Sequence, residues 1–346
     1  MIKSKISLCG YDLIGEYGND GIRYAWNYNN KKQLLESAAF PYHRKGVYDN
    51  ICGYTTSVSL GCILKAFNLQ CSFCRTGNLL PFSDNLSAFD IAKQNIFMVL
   101  SDVYCSDHKE LINMPKEFAY MGQGEPGYSY SQLREAIRIT NIVMKNINQK
   151  VYRHIISTSG VPEMIKAVKD DIKNGFYSEK ITLHFSLHST SQRKIIMPID
   201  EKYSFIEVLS CLEDVVEITG EKPCIGILLF NEYSPHGKQI TYTNDINEVK
   251  EMLKFLDPKK FRLSFCEFND SAEVGQAIKY PKDDAINILA YSKKMGFESK
   301  LFSSFGQREK AACGMLGGTK PEKEPSEKWR ELERKAEELL ENAINS

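Results

Sequence analysis

The sequence predicts an α/β fold built on a parallel sheet, and three observations carry that reading. From roughly residue 50 onward, short apolar runs alternate with segments of helical periodicity at about 30 to 45 residues per unit. Several of the helical segments stop at glycine, as a helix C-terminus should. Polar residues close many of the apolar runs, at the end where parallel sheets and barrels both collect ligands. Periodicity alone leaves open whether the sheet is flat or closed, and no repeat of 20 to 50 residues is visible.

Taken in order, residues 1–50, with "YGNDG" and "GIRYAWNYNN", read as a small strand-and-turn cap. Strands are expected at "TTSVSL" (55–60), "EFAYMG" (117–122), "VYRHIIS" (151–157), "KITLHFSLH" (180–188), "CIGILLF" (224–230), "FRLSFCEF" (261–268) and "FESKLFSSF" (297–305), each rich in β-branched and aromatic residues. Helices are expected at "SQLREAIRITNIVMKNINQ", "VPEMIKAVKDDIKNG", "SFIEVLSCLEDVVEITG" and "KDDAINILAYSKKMG". Ser157, Ser186, His188, Asn231 and Asn269 fall at the strand ends. After a Lys/Pro/Gly linker (317–325), Ser326 is placed to cap a helix dense in opposite charges at helical spacing. That tail reads as a solvated terminal helix, with a partner-binding helix the lesser alternative.

The chain of 346 residues is long enough for one large domain, or one with a small appendage. Lys plus Arg and Asp plus Glu are 44 each, which excludes the global basic field of a non-specific nucleic-acid binder. Local basic runs, "HRK" (43–45), "QRK" (192–194) and "DPKKFR" (257–262), read as solvated faces. Ten cysteines, with no signal peptide, lipidation motif or apolar run of membrane-spanning length, predict a cytoplasmic, reducing setting in which cysteines are thiols or ligands.

Three of them stand together in "GCILKAFNLQCSFCRTG" as Cys62, Cys71 and Cys74, a C-x8-C-x2-C pattern. Cys71 and Cys74 alone have the spacing of half a zinc knuckle, with Cys62 a bystander. All three together could hold a [4Fe–4S] cluster whose fourth iron stays open to the amino and carboxylate groups of a ligand. The cysteines leave both readings standing.

The blocks "MGQGEP" (121–126), "ISTSGVP" (156–162), "FSLHSTSQRKIIMPID" (185–200), "FCEFN" (265–269) and "AACGMLGG" (311–318) follow the cysteines in order. With them, residues 30 to 318 resemble the RlmN/Cfr class of radical S-adenosylmethionine (SAM) RNA methyltransferases. The resemblance implies a partial (β/α)6 TIM-like barrel over 51–318, between the cap (1–50) and the linker and charged terminal helix (319–346). It implies a [4Fe–4S] cluster on Cys62, Cys71 and Cys74, and SAM contacted by Gly124, Glu125, Ser157, Ser186, Leu187, His188 and Asn269. Cys313 would carry the methyl group, Glu36 in "LESAAFP" would accept a proton, and a deoxyadenosyl radical would need a closed site. The partners implied are rRNA or tRNA, methylated at carbon 2 or 8 of an adenine, and an electron donor such as flavodoxin or ferredoxin. A monomer that does not meet a membrane is expected.

The chain departs from this pattern in three places. The family spaces its cysteines C-x3-C-x2-C, so five extra residues lie between Cys62 and Cys71; a longer loop closes at little entropic cost. A further family cysteine, seven residues before the first ligand, is Thr55 here, with Cys52 three residues earlier as a possible substitute. The basic segment before the methyl carrier reads "LFSSFGQREK", and the larger N-terminal accessory region is replaced by about 50 residues. Fewer phosphate contacts follow. Two other readings keep their place: a radical enzyme of this fold acting on a peptide or small molecule, and a metal-binding protein with no activity.

Overall fold

The computed structural model describes residues 3–16, 19–29, 31–40, 51–105, 109–230, 232–235, 245–268, 274–278, 280–302 and 316–345. Ten strands form one sheet in sequence order. β1 (Ile6–Glu16), β2 (Asn19–Tyr28) and β3 (Leu34–Phe40) pair antiparallel, and β3 pairs antiparallel with β4 (Cys52–Thr55). From β4 onward seven strands run parallel: β5 (Lys116–Tyr120), β6 (Val151–Thr158), β7 (Ile181–Ser186), β8 (Cys224–Leu229), β9 (Arg262–Glu267) and β10 (Glu298–Phe302) follow it. Six of these match the (β/α) units that the family resemblance implied, and β10 adds a seventh. The region expected as a cap supplies three strands that carry the same sheet past β4.

Alternation along the strands makes two different faces. Phe118, Tyr120, Ile156, Leu183, Phe185, Ile225, Ile227 and Leu229 are buried in one continuous apolar core. The opposite residues, among them Glu117, Arg153, Ser157, Thr182, His184, Ser186 and Gly226, face a single cavity. All seven parallel strands contribute to its wall, as they must when a sheet curls into a partial barrel. The crossover helices are α1 (Ala88–Cys105), α2 (Tyr130–Asn146), α3 (Pro162–Lys173), α4 (Phe205–Thr219), α5 (Ile246–Leu253) and α6 (Lys282–Lys294). None of the described helices is long and apolar enough to cross a membrane.

Two elements differ from the sequence expectation, each for a visible reason. The first parallel strand ends at Thr55 instead of Leu60, with only Ser59–Leu60 pairing again, to Asp84–Asn85. At Ser57 the α1 side chain Gln94 takes the place of a neighbouring strand: its Oε1 accepts the Ser57 N–H at 3.1 Å and its Nε2 donates to the Ser57 carbonyl at 3.0 Å. The terminal helix, expected to be solvated, is α7 (Glu327–Asn345), and it docks. Trp329, Leu332, Ala336, Leu340 and Ala343 form a buried stripe at spacings of three and four, which the surrounding charges mask in the sequence. Trp329 stacks on Tyr11 of β1 at 4.2 Å, and the buried ammonium of Lys93 on α1 reaches Glu333 at 2.7 Å and Glu337 at 2.5 Å.

Candidate functional site

The barrel cavity has a volume of about 730 Å³. Cys71, Phe73, Cys74, Gly124, Glu125, Ser159 and His188 line it, each on a loop that leaves the C-terminal end of a parallel strand or at that end. Of the twelve residues singled out in the sequence, Cys71, Cys74, Gly124, Glu125, Ser157, Ser186 and His188 stand on this wall. Asn269, Cys313 and also Asn231 lie outside the described residues.

The cysteine loop is organised by short-range hydrogen bonds. Cys62 precedes a one-turn helix, Ile63–Ala66, and Asn68 turns the chain back with φ of 56°. The Asn78 amide donates to three carbonyls, those of Cys71 (2.9 Å), Ser72 (3.1 Å) and Cys74 (2.7 Å), which fixes the C-x2-C turn. Burial pushes all three thiols up, Cys71 to about 12, and Cys74 adds to the shift of both others through its charge. Among the described residues no three His, Cys, Asp or Glu side chains are already closed to metal-binding distance.

The donors around the sulfurs test whether the cysteines suit a cluster. The Thr76 and Gly77 N–H groups donate to the Cys74 sulfur, the Leu64 N–H donates to that of Cys62, and the Ser159 hydroxyl lies 3.9 Å from that of Cys71. Each favours a thiolate. Three buried sulfurs, all with their own hydrogen-bond donors, fit a three-thiolate [4Fe–4S] site better than a bystander thiol beside a zinc pair.

The "MGQGEP" block crosses from β5 to the wall. Gly124 has φ of 109°, and a Cβ there would lie 2.3 Å from Ser59 Oγ and 2.8 Å from Val58 Cγ2. Only glycine fits. The Glu125 carboxylate accepts from Thr158 Oγ1 (2.6 Å), Ser159 N (2.8 Å) and Gly127 N (3.0 Å), tying the end of β5 to that of β6. Burial pushes this carboxyl up, and those three donors oppose the shift. At the next strand end Ser157 Oγ lies 3.1 Å from His184 Nδ1. Burial pulls the His184 imidazole down to about 4, helped by Lys300, Arg262 and Arg153, so it is neutral.

His188 takes a left-handed conformation, φ of 61°, and its Nδ1 accepts the Leu228 N–H at 3.2 Å while its ring meets Phe73 edge-on at 5.2 Å. Leu187 is fully buried, and the N–H groups of Leu187 and His188 both donate to the Gly226 carbonyl at 3.1 Å. A residue not picked from the sequence holds this corner. Arg193, in the "QRK" run expected on the surface, is 1% exposed. Its guanidinium donates to the carbonyls of Ser159 (2.5 Å), Ser186 (2.6 Å) and Leu187 (2.5 Å) and pairs with Asp200 at 3.0 Å. A lone Arg between Gln and Lys carries no signal of this; the buried Asp200 seven residues on is its only trace.

Glu36 is fully enclosed and off the cavity wall. One carboxylate oxygen pairs with Arg23; the other accepts Gly318 N–H at 2.7 Å and Gln123 Nε2 at 3.2 Å. Arg23 also pairs with Asp12 and donates to the Thr319 carbonyl at 3.0 Å. Burial pushes the Glu36 carboxyl up, and Arg23, the Gly318 N–H and Gln123 oppose the shift. The Thr76 hydroxyl meets the Leu316 carbonyl at 2.5 Å, so Leu316 to Thr319 is fastened both to the cysteine loop and to Glu36. In the described structure Glu36 is thus an anchor for the segment that follows "AACGM". Thr55 lines the cavity, whereas Cys52 opens β4 at its far end and packs 4.0 Å from the Leu111 carbonyl and Met114 sulfur, away from the lumen. The cavity wall instead carries the thiols of Cys224 and Cys266.

No family model matches the chain. Among curated proteins, the probable dual-specificity RNA methyltransferase RlmN of Syntrophomonas wolfei is 27% identical over 315 residues, which cover 86% of this chain and 77% of that protein. The protein of the same description from Fervidobacterium nodosum is 30% identical over 265 residues, 75% of this chain and 67% of its own length. Among solved structures, a radical SAM methyltransferase from Sphaerobacter thermophilus matches with a TM-score of 0.72 at 19% identity, covering 91% of this chain and 82% of that one.

Proposed function

The chain belongs to the RlmN family of radical SAM RNA methyltransferases, and from that premise we propose that it methylates an adenine carbon, C2 or C8, of rRNA or tRNA by way of Cys313. The observation that carries the proposal is the pair Cys71 and Cys74 on the cavity wall with buried Cys62 near enough to feel the charge of both, each thiol with its own hydrogen-bond donors. Cys62, Cys71 and Cys74 would hold the [4Fe–4S] cluster. Bound together, cluster and SAM supply the electron and the carbon–sulfur cleavage that make a methyl group reactive toward an aromatic carbon.

The chain's own residues set the stage. Gly124 lets its strand end pass against Val58 and Ser59, where a side chain would clash, and Glu125 presents acceptor oxygens suited to an ammonium group. Ser157, Ser186 and His188 offer hydroxyl and imidazole groups for the ribose and carboxylate of the cofactor. Leu187, outside the wall, would act through its backbone, and Asn269, outside the described residues, would contribute its side-chain amide. Arg193 holds the β6 and β7 ends in register. Glu36 acts as a positioning residue for the stretch after Cys313. An electron donor of the flavodoxin or ferredoxin class completes the system.

Anaerobic reconstitution followed by mass spectrometry of the Cys313 peptide, with RNA methylation scored in parallel, tests the proposal. A brown protein, a methylated Cys313 and methyladenine in RNA are expected. Deoxyadenosine release with an unmodified Cys313 would remove the methyl-carrier role, and a colourless zinc protein would end the radical reading altogether.

A further inference from the structure

The five residues by which the cysteine loop exceeds its family spacing bring an aromatic side chain to the surface. Phe67 ends the short helix after Cys62 and is 49% exposed. Its ring rests on Tyr128 at 5.5 Å, and Tyr128 closes the turn three residues after Glu125. The Lys202 ammonium completes the group: it lies 5.8 Å from the centre of Phe67, 5.3 Å from Tyr128 and 4.9 Å from Tyr203, and donates to Tyr128 Oη at 3.1 Å. Three loops, after β4, β5 and β7, thus place three rings around one exposed cation. All three leave the strand ends that carry the active cavity.

Tyr128 and Tyr203 are partly buried and rest on the core by one side, but the group opens to solvent on the other. Lys202 is exposed, and Phe67 touches Tyr128 with half its own surface in solvent. Flat rings with a lysine at their centre are the elements that bind unpaired nucleotides: bases stack on the rings and a phosphate meets the cation. An acidic protein partner would call for several cations and little aromatic surface, whereas this group has one ammonium shared by three rings.

We propose that Phe67, Tyr128, Tyr203 and Lys202 form a docking patch for an unpaired base and its phosphate in the RNA substrate, outside the barrel mouth. The inference rests on the RNA-methyltransferase reading given above. The patch supplies base stacking where the chain lacks the basic residues of its relatives, so its share of RNA affinity is only weakly dependent on salt.

Three proteins test this: the reconstituted wild type, Phe67→Ala and Lys202→Gln, each measured for RNA binding across a salt series, for RNA methylation and for SAM cleavage without RNA. Phe67→Ala is expected to weaken RNA binding at least about fivefold with an unchanged salt slope. Lys202→Gln is expected to reduce that slope by about one phosphate contact. SAM cleavage without RNA should stay at the wild-type rate in both, which separates a docking defect from a damaged cluster loop. Wild-type RNA affinity in both variants, with RNA still methylated, would overturn the patch and leave the enzyme reading intact. Slower reduction by flavodoxin with unchanged RNA affinity would reassign it to the electron donor. A wild type that neither binds nor methylates RNA would remove both.

Discussion

Glu36→Gln is an informative single change, because the glutamine has the shape of the glutamate and lacks its second acceptor oxygen. In the native structure one oxygen serves Arg23 and the other serves Gly318 N–H and Gln123 Nε2. The glutamine carbonyl can satisfy only one side, and its NH2 then faces a donor on the other. Losing the charge-assisted bond, or leaving the Gly318 and Gln123 donors unmet, costs about 2–4 kcal/mol. The loss stays below that of an orphaned buried ion because Arg23 keeps Asp12. Anaerobic urea unfolding of the cluster-free protein reads this directly as a lower midpoint at constant slope. Asp12→Asn added to Glu36→Gln strips Arg23 of both carboxylates, so the double variant should lose roughly 1–3 kcal/mol more than the sum of the two single losses. A Glu36→Gln midpoint equal to that of the wild type, or strict additivity in the pair, would refute the shared-guanidinium account. Proteolysis within 316–322 should also become faster in Glu36→Gln, since Gly318 N–H is one of its fastenings.

Three further outcomes are expected. Burial pushes Asp102 up to about 6, so its proton is held more tightly in the folded state; stability is full below pH 4 and falls by about 3 kcal/mol as pH rises through 6. Subtracting the Asp102→Asn curve from that of the wild type should show this step, and a flat difference would count against it. Gly124→Ala, which puts a methyl group 2.3 Å from Ser59 Oγ at φ of 109°, should lose about 2 kcal/mol or more and bind SAM poorly, as equilibrium dialysis would show; a wild-type result would mean the strand end relaxes freely. Arg193→Met leaves Asp200 buried without its partner and frees the Ser159, Ser186 and Leu187 carbonyls; a loss of about 3–5 kcal/mol is expected by calorimetry, and a change under 1 kcal/mol would demote Arg193 from clamp to filler.

Much of the barrel was legible because each parallel strand is short, apolar on one face and bounded by turn residues. The site was legible where chemistry demands unusual residues, as with three cysteines or a glycine at positive φ. What escaped depended on partners far along the chain. Nothing near Thr56 says that Gln94 will replace a strand neighbour, so the first strand was drawn too far. Arg193 looks like any surface arginine until the Ser159 and Leu187 carbonyls are brought beside it. Glu36 reads as a base only through its match to a family glutamate; its neighbours in space, Arg23 and Gly318, are set by the sheet and the tail. The stripe from Trp329 to Ala343 was hidden by the charges between its members.

The pairing of β1 bears on how the chain assembles. The Tyr11 N–H donates to the Lys323 carbonyl at 3.0 Å and the Lys323 N–H returns to Tyr11 at 3.2 Å, so the outer strand of the sheet has its open edge covered by a segment more than 300 residues downstream. Until that segment arrives, β1 offers unpaired backbone and an uncovered Tyr11 to any passing strand. The parallel strands can nucleate earlier, from contacts closer in sequence, leaving this seam as the slow closing step. Truncation before residue 319 should therefore yield aggregates rather than a smaller working barrel.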